Sequence, residues 1–182
     1  TRYLAGSVET LNPILYTVHG SQLYGLAHEH SDLDTYHVVL CDDKRYTSHM
    51  VDDVSDSTVI HLDRFVQQVN KGVPQALEAL YSPYVSTLPA YRPYLRNLRP
   101  DRYAVADTYW RTARNFAEGD YKQKRHAMRL VLNLHDFMRD GYFNPKLTPA
   151  EVTFVNRYAR LDAQAFHAEL QSFLEYALRG VI

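Results

Sequence analysis

The chain of 182 residues has a single cysteine, Cys41, so it forms no internal disulfide and offers no cysteine cluster for zinc, a usage that fits a reducing compartment. No apolar run approaches the roughly eighteen residues needed to cross a bilayer, and the opening lacks the charged-then-apolar pattern of a signal peptide. A soluble, cytoplasmic protein with no membrane partner is expected. Residue 1 is Thr, which leaves open whether the start is trimmed. Bias toward disorder is also missing: an apolar content of 46% is that of a foldable chain, enough for one ordinary domain or for a catalytic sheet with a helical lobe. The nine histidines are scattered and form no zinc constellation. Net charge is only −1, but it is unevenly spread. Residues 1–91 hold five Lys or Arg against eleven Asp or Glu, a balance of −6, and residues 92–129 hold ten against four, a balance of +6. The basic part either faces the phosphates of a triphosphate or nucleic acid, or is a solvated face that attracts the acidic part.

What is present concentrates in His19 to Val39, HGSQLYGLAHEHSDLDTYHVV. Ile14–Val18 reads as a buried strand, Gly20-Ser21 as a tight turn, Gln22–Ala27 as the start of a short helix, and Leu33–Leu40 as a second strand. Asp32 and Asp34 are two residues apart, so on a strand both carboxylates project from one side. Two acids on one side repel unless something holds them, and a hard divalent cation such as Mg2+ is the simplest candidate. The Gly20-Ser21 turn supplies the complementary half, since backbone amides opening a helix form an anion site and the Ser21 hydroxyl adds a donor. Each feature alone is ordinary turn chemistry. In this order they describe a nucleotide site.

The same residues resemble the nucleotidyltransferases of the DNA polymerase β superfamily, whose pattern is a strand, Gly-Ser, a short helix, about ten residues and then D-x-D on the next strand. Here these are Gly20, Ser21, Asp32 and Asp34. With Tyr24-Gly25 in the short helix and Ser31-Asp32 before the last aspartate, the stretch is most similar to the predicted nucleotidyltransferases of bacteria and phages. That resemblance implies a third carboxylate on a neighbouring strand, which falls on Asp56, nine residues before Phe65, with Asp53 as competitor. It further implies that the helix YKQKRHAMRLVLNLH reaches over the triphosphate, and that Glu78 stands at the acid of the family's later helical region.

The rest of the chain supports a layered reading. Cys41–Ser55 is polar and reads as a loop or small hairpin, and Asp56 opens a β-branched third strand on which His61 has the opposite parity. Asp63–Lys71 reads as a helix stopped by Gly72, and Pro74 opens another in PQALEALYS. Ser82–Pro100, rich in proline and tyrosine, reads as a connector with a short helix between Pro89 and Leu98. Its tyrosines either stack bases or are half-buried packing. Four helices follow, at 101–118, 121–140, 148–160 and 163–178, ended by glycine or turns. In the second of them Lys122, His126 and Arg129 are four and three apart and share a face, whereas Lys124 and Arg125 lie off it.

The expected architecture is α+β: a small mixed sheet with flanking helices over residues 1–91, then a C-terminal helical bundle lobe over 92–182 that closes over the nucleotide. The expected activity is transfer of a nucleoside monophosphate from a nucleoside triphosphate, such as ATP, to an acceptor hydroxyl, with release of pyrophosphate. Asp32, Asp34 and Asp56 would hold two Mg2+ ions, or Mn2+. Gly20, Ser21, Lys122, His126 and Arg129 would hold the phosphates. The acceptor, an RNA, tRNA or DNA end, a protein or a small molecule, is left open. The alternative is a catalytically idle nucleotide- or RNA-binding domain of the same fold.

Overall fold

The computed structural model describes residues 13–29, 31–53 and 55–179. It is α+β, with a five-stranded mixed sheet in the order β3-β4-β2-β1-β5. The strands are β1 (Leu15–His19), β2 (Leu33–Val39), β3 (Thr47–Val51), β4 (Ser55–His61) and β5 (Ser86–Thr87). Only β2 and β4 run parallel; the other pairs are antiparallel.

In β1 the side chains of Leu15, Thr17 and His19 are buried while Tyr16 and Val18 are half-buried, so one face of the strand is more deeply covered than the other. In β2, Tyr36 to Val39 are all buried, whereas Leu33 is exposed and Asp34 and Thr35 are half-buried. The parallel strand β4 repeats this gradient, from half-buried Ser55–Thr58 to buried Val59–His61. Because the two strands are in register, with Asp34 opposite Asp56, their wetter ends coincide at one rim of the sheet. Carboxylates can be accommodated there and not at the buried end.

Helix α1 (Gly20–Tyr24) is only one turn and follows β1 directly, ending at Gly25 in the left-handed region, φ 78°. The turn and the helix are therefore one element: the helix opens on Gly20 and Ser21 rather than at Gln22, and it stops at Gly25, short of Ala27. The loop or hairpin read at 41–55 is a hairpin, with β3 against β4. Helix α2 (Leu62–Asn70) buries Phe65 and Val69. His61 caps it, its Nδ1 accepting the Asp63 amide at 2.9 Å. Helix α3 (Pro74–Tyr81) and helix α4 (Arg92–Arg96) follow. Between them β5 adds to the edge of β1, in a segment read from sequence only as connector.

Four longer helices complete the chain, each opened by a side chain that satisfies a free backbone amide. Asp101 caps α5 (Arg102–Ala117), Asp120 and Gln123 form a capping box on α6 (Tyr121–Asp140), Thr148 and Glu151 form another on α7 (Pro149–Ala159), and Asp162 caps α8 (Ala163–Ala177). Gly141, at φ 80°, ends α6. Gly180, read as the last helix stop, lies outside the described residues.

By compactness the chain divides into two units: Val69 and the residues before it with Gln75–Arg99, and Asn70–Pro74 with the chain from Pro100 on. The boundary at Arg99 lies inside the proline-rich connector. Within the second unit Gly72 (φ 72°) packs so tightly that a Cβ there would lie 2.6 Å from Val105 Cα, and Thr108 Oγ1 donates to the Lys71 carbonyl at 2.8 Å. Among the described residues, no helix is long and apolar enough to cross a membrane.

Candidate active site

At the wet rim of the sheet, the register His19↔Asp34↔Asp56 sets three side chains in one row across β1, β2 and β4. In-register neighbours share a face. His61, five residues beyond Asp56 on the same regular strand, is on the other face and buried at 3% exposure, as its parity predicts. Asp53 lies outside β4, in the turn of the hairpin, whereas Asp56 is the direct partner of Asp34. Asp32 just precedes β2 and is exposed.

The Asp34 carboxyl is pushed up from the ordinary carboxylate range, first by burial and next by the Asp56 charge, with Asp32 adding in the same direction and His19 and His49 opposing. Asp56 and Asp32 therefore both lie close enough to act on Asp34. One oxygen each of Asp34 and Asp56, Oδ1 in both, is buried without a hydrogen-bond partner. Gly20 presses against this group: a Cβ on it would lie 2.0 Å from Asp34 Oδ2, and its φ of 63° suits glycine. The α1 turn and the carboxylate cluster thus touch, with Ser21 half-buried beside them.

Among the described residues no three His, Cys, Asp or Glu side chains converge as a closed metal-binding set. Mg2+ does not require one, since it typically takes one or two carboxylates and completes its shell with water and substrate phosphates. Two neighbouring hard-oxygen donors with buried, unmatched oxygens fit such an ion.

Two further groups reach the row: His49, which no sequence spacing marked, and Glu78, which the resemblance did. His49 on the edge strand β3 has Nε2 3.8 Å from Asp56 Oδ2 and Nδ1 3.2 Å from Thr58 Oγ1. Nothing marks it until the β3–β4 register is known. Glu78, read as an unremarkable exposed helix residue if not functional, is 1% exposed. Its Oε2 accepts the Tyr24 hydroxyl at 2.5 Å and lies 3.2 Å from His19 Nε2. The signal available for it was a lone charge with apolar residues on both sides in ALEAL.

In the second unit, α6 carries the cationic face. Lys122 is exposed, His126 is half-buried with its ring 5.4 Å from that of Phe116, and Arg129 is 4% exposed and donates from Nη2 to His126 Nδ1 at 3.3 Å. Lys124, which lies off that face, packs within the unit. Its Nζ donates to the Leu161 carbonyl at 3.1 Å and lies 5.5 Å from the Phe166 ring, which ties α6 to α8. Arg125 lies over the Tyr121 ring at 5.4 Å.

No protein-family model matches this chain, and no curated protein sequence does. Among solved structures, the chain is similar to a nucleotidyltransferase-like protein from Exiguobacterium sibiricum 255-15, at 14% identity and a TM-score of 0.35, over 97% of this chain and 72% of that one. A likeness this loose carries no argument about fold or activity.

Proposed function

We propose that the protein is a metal-dependent nucleotidyltransferase, transferring a nucleoside monophosphate from a nucleoside triphosphate to an acceptor hydroxyl and releasing pyrophosphate. The observation that carries this reading is the contact of Gly20 with Asp34, which brings the Gly-Ser turn and the Asp34–Asp56 pair into one place. His19, bonded to Gly20, pairs with Asp34 across the sheet, so the β1–β2 register itself holds the turn against the acid pair. Repelling carboxylates with unmatched oxygens are costly unless a cation joins them.

In this reading the Gly20 and Ser21 amides and the Ser21 hydroxyl hold the β and γ phosphates. Asp32, Asp34 and Asp56 would hold two magnesium ions, or manganese, which would polarise the α-phosphate and lower the pKa of the acceptor hydroxyl. Asp56 would sit near the incoming hydroxyl. The acceptor oxygen forms its bond to the α-phosphorus as the bond to the pyrophosphate oxygen breaks, in line. Lys122, His126 and Arg129 are the residues that the family resemblance offers for the charge gathering on the pyrophosphate.

The test is incubation with each α-labelled triphosphate, Mg2+ or Mn2+, and a mixed pool of RNA, DNA and protein acceptors. Label should move to one acceptor class. Asp34→Asn should abolish transfer while circular dichroism stays native; near-normal transfer by this variant removes the assignment. Nucleotide binding without label transfer by the wild-type protein selects the idle binding domain instead.

A further inference from the structure

The strongest unexplained feature of the first unit is a buried carboxylate away from the metal-type cluster. Glu78 sits on α3 at 1% exposure, and a carboxylate so placed is expensive unless it is firmly held. Two of its contacts fall on opposite ends of one element. His19 immediately precedes α1, with its Nε2 3.2 Å from Glu78 Oε2 in a close contact without hydrogen-bond alignment, and Tyr24 is the last residue of α1, its hydroxyl donating to the same oxygen at 2.5 Å.

That element cannot hold its own shape. A one-turn helix lies far below the length at which helices are stable alone. It has no side-chain cap at its start, and glycines with positive φ, Gly20 and Gly25, stand at both ends. Its position must come from tertiary contacts. Leu23, 0% exposed, is the apolar anchor, and Glu78 is the polar one. The His19 ring is further boxed by Tyr36 at 5.7 Å and Tyr24 at 6.1 Å. Beside it the Thr17 and Ser82 hydroxyls are 2.6 Å apart, which joins β1 to the end of α3.

We propose that Glu78 is a positioning residue that fixes the Gly20-Ser21 turn against Asp34 by holding His19 and Tyr24 together. Glu78 touches no substrate. It acts through His19, which is bonded to Gly20 in the chain and paired with Asp34 across the sheet. The kinetic part of this inference rests on the nucleotidyl-transfer reading; its structural part does not.

The experiment compares wild type with Glu78→Gln, Tyr24→Phe and the double variant. Glu78→Gln preserves shape and leaves an acceptor for Tyr24, so it separates lost packing from lost positioning. Backbone amide order parameters of Gly20 and Ser21, measured by NMR, should fall in Glu78→Gln and fall further in the double variant. Alongside, kcat should drop about 10- to 100-fold, the scale of a small misalignment at the reacting group, with KM for the triphosphate changed less. Unchanged order parameters overturn the proposal whatever the kinetics show. So does a lower thermal midpoint accompanied by wild-type order parameters and kcat, which makes Glu78 a packing residue only. If the wild type transfers no label but Glu78→Gln loosens the two amides, the transfer reading fails and the positioning role stands.

Discussion

Glycine shows most directly how a single atom decides this site. At Gly20 an added Cβ meets the Asp34 carboxylate at 2.0 Å and the backbone sits at φ 63°, whereas at Gly141 the backbone sits at φ 80° but nothing lies within 4 Å. Both substitutions to alanine carry the left-handed penalty of about 1–2 kcal/mol. Only Gly20→Ala must also displace a carboxylate or open the turn. The expected result is a similar modest loss in urea stability for Gly141→Ala with label transfer unchanged, and a larger loss for Gly20→Ala with transfer down by at least about 100-fold. Equal activities of the two variants would mean that the contact between the turn and Asp34 is incidental.

Among the elements, those with local causes were legible in the sequence. The four helices at 101–118, 121–140, 148–160 and 163–178 are read from their period and stops, and the structure shows the short-range chemistry behind them in the caps Asp101, Asp120, Thr148 and Asp162 and the stop at Gly141. What depends on pairing was not legible. The Ser86–Thr87 strand is too short to show a period, and the place of His49 beside Asp56 follows from a hairpin register that no local signal sets. Glu78 was marked by the resemblance, but its burial was not legible because it meets partners 59 and 54 residues earlier, His19 and Tyr24. On the opposite face of β2 another residue of this kind has a measurable consequence. His37 is 8% exposed, packs against Tyr16 at 4.9 Å between ring centres, and shares a 3.1 Å hydrogen bond from Nε2 with Thr35. Burial lowers its pKa below the ordinary 6.5, so the unfolded chain binds the proton more readily. The stability that follows is fully present above the unfolded-state value and is lost as pH falls below it. The urea midpoint of the wild type should therefore fall between pH 7.5 and 5.5, and fall less in His37→Gln, with the m-value unchanged. An identical drop in both proteins would assign the acid sensitivity to other groups.

On the scale of the whole chain, the charge separation of −6 over residues 1–91 and +6 over 92–129 becomes informative once burial is known. An exposed lysine and a buried arginine on one helix face are not equivalent binders. Lys122 meets solvent, so a contact from it to a phosphate is screened and competes with water, and such a pair is worth at most about 1 kcal/mol. Arg129 is 4% exposed and pre-oriented by its bond to His126, so its planar donors meet an anion with less ordering and less screening. If α6 serves the triphosphate as proposed, calorimetric titration should show affinity falling about two- to fivefold in Lys122→Ala. In Arg129→Lys, which keeps the charge but loses the two-pronged donor, the fall should be about tenfold or more. Raising salt should shrink the Lys122 effect and leave most of the Arg129 effect in place. Unchanged affinity in both variants, at native thermal midpoints, would take α6 out of the nucleotide site and leave its cationic face to the internal contacts that His126 and Arg129 already make.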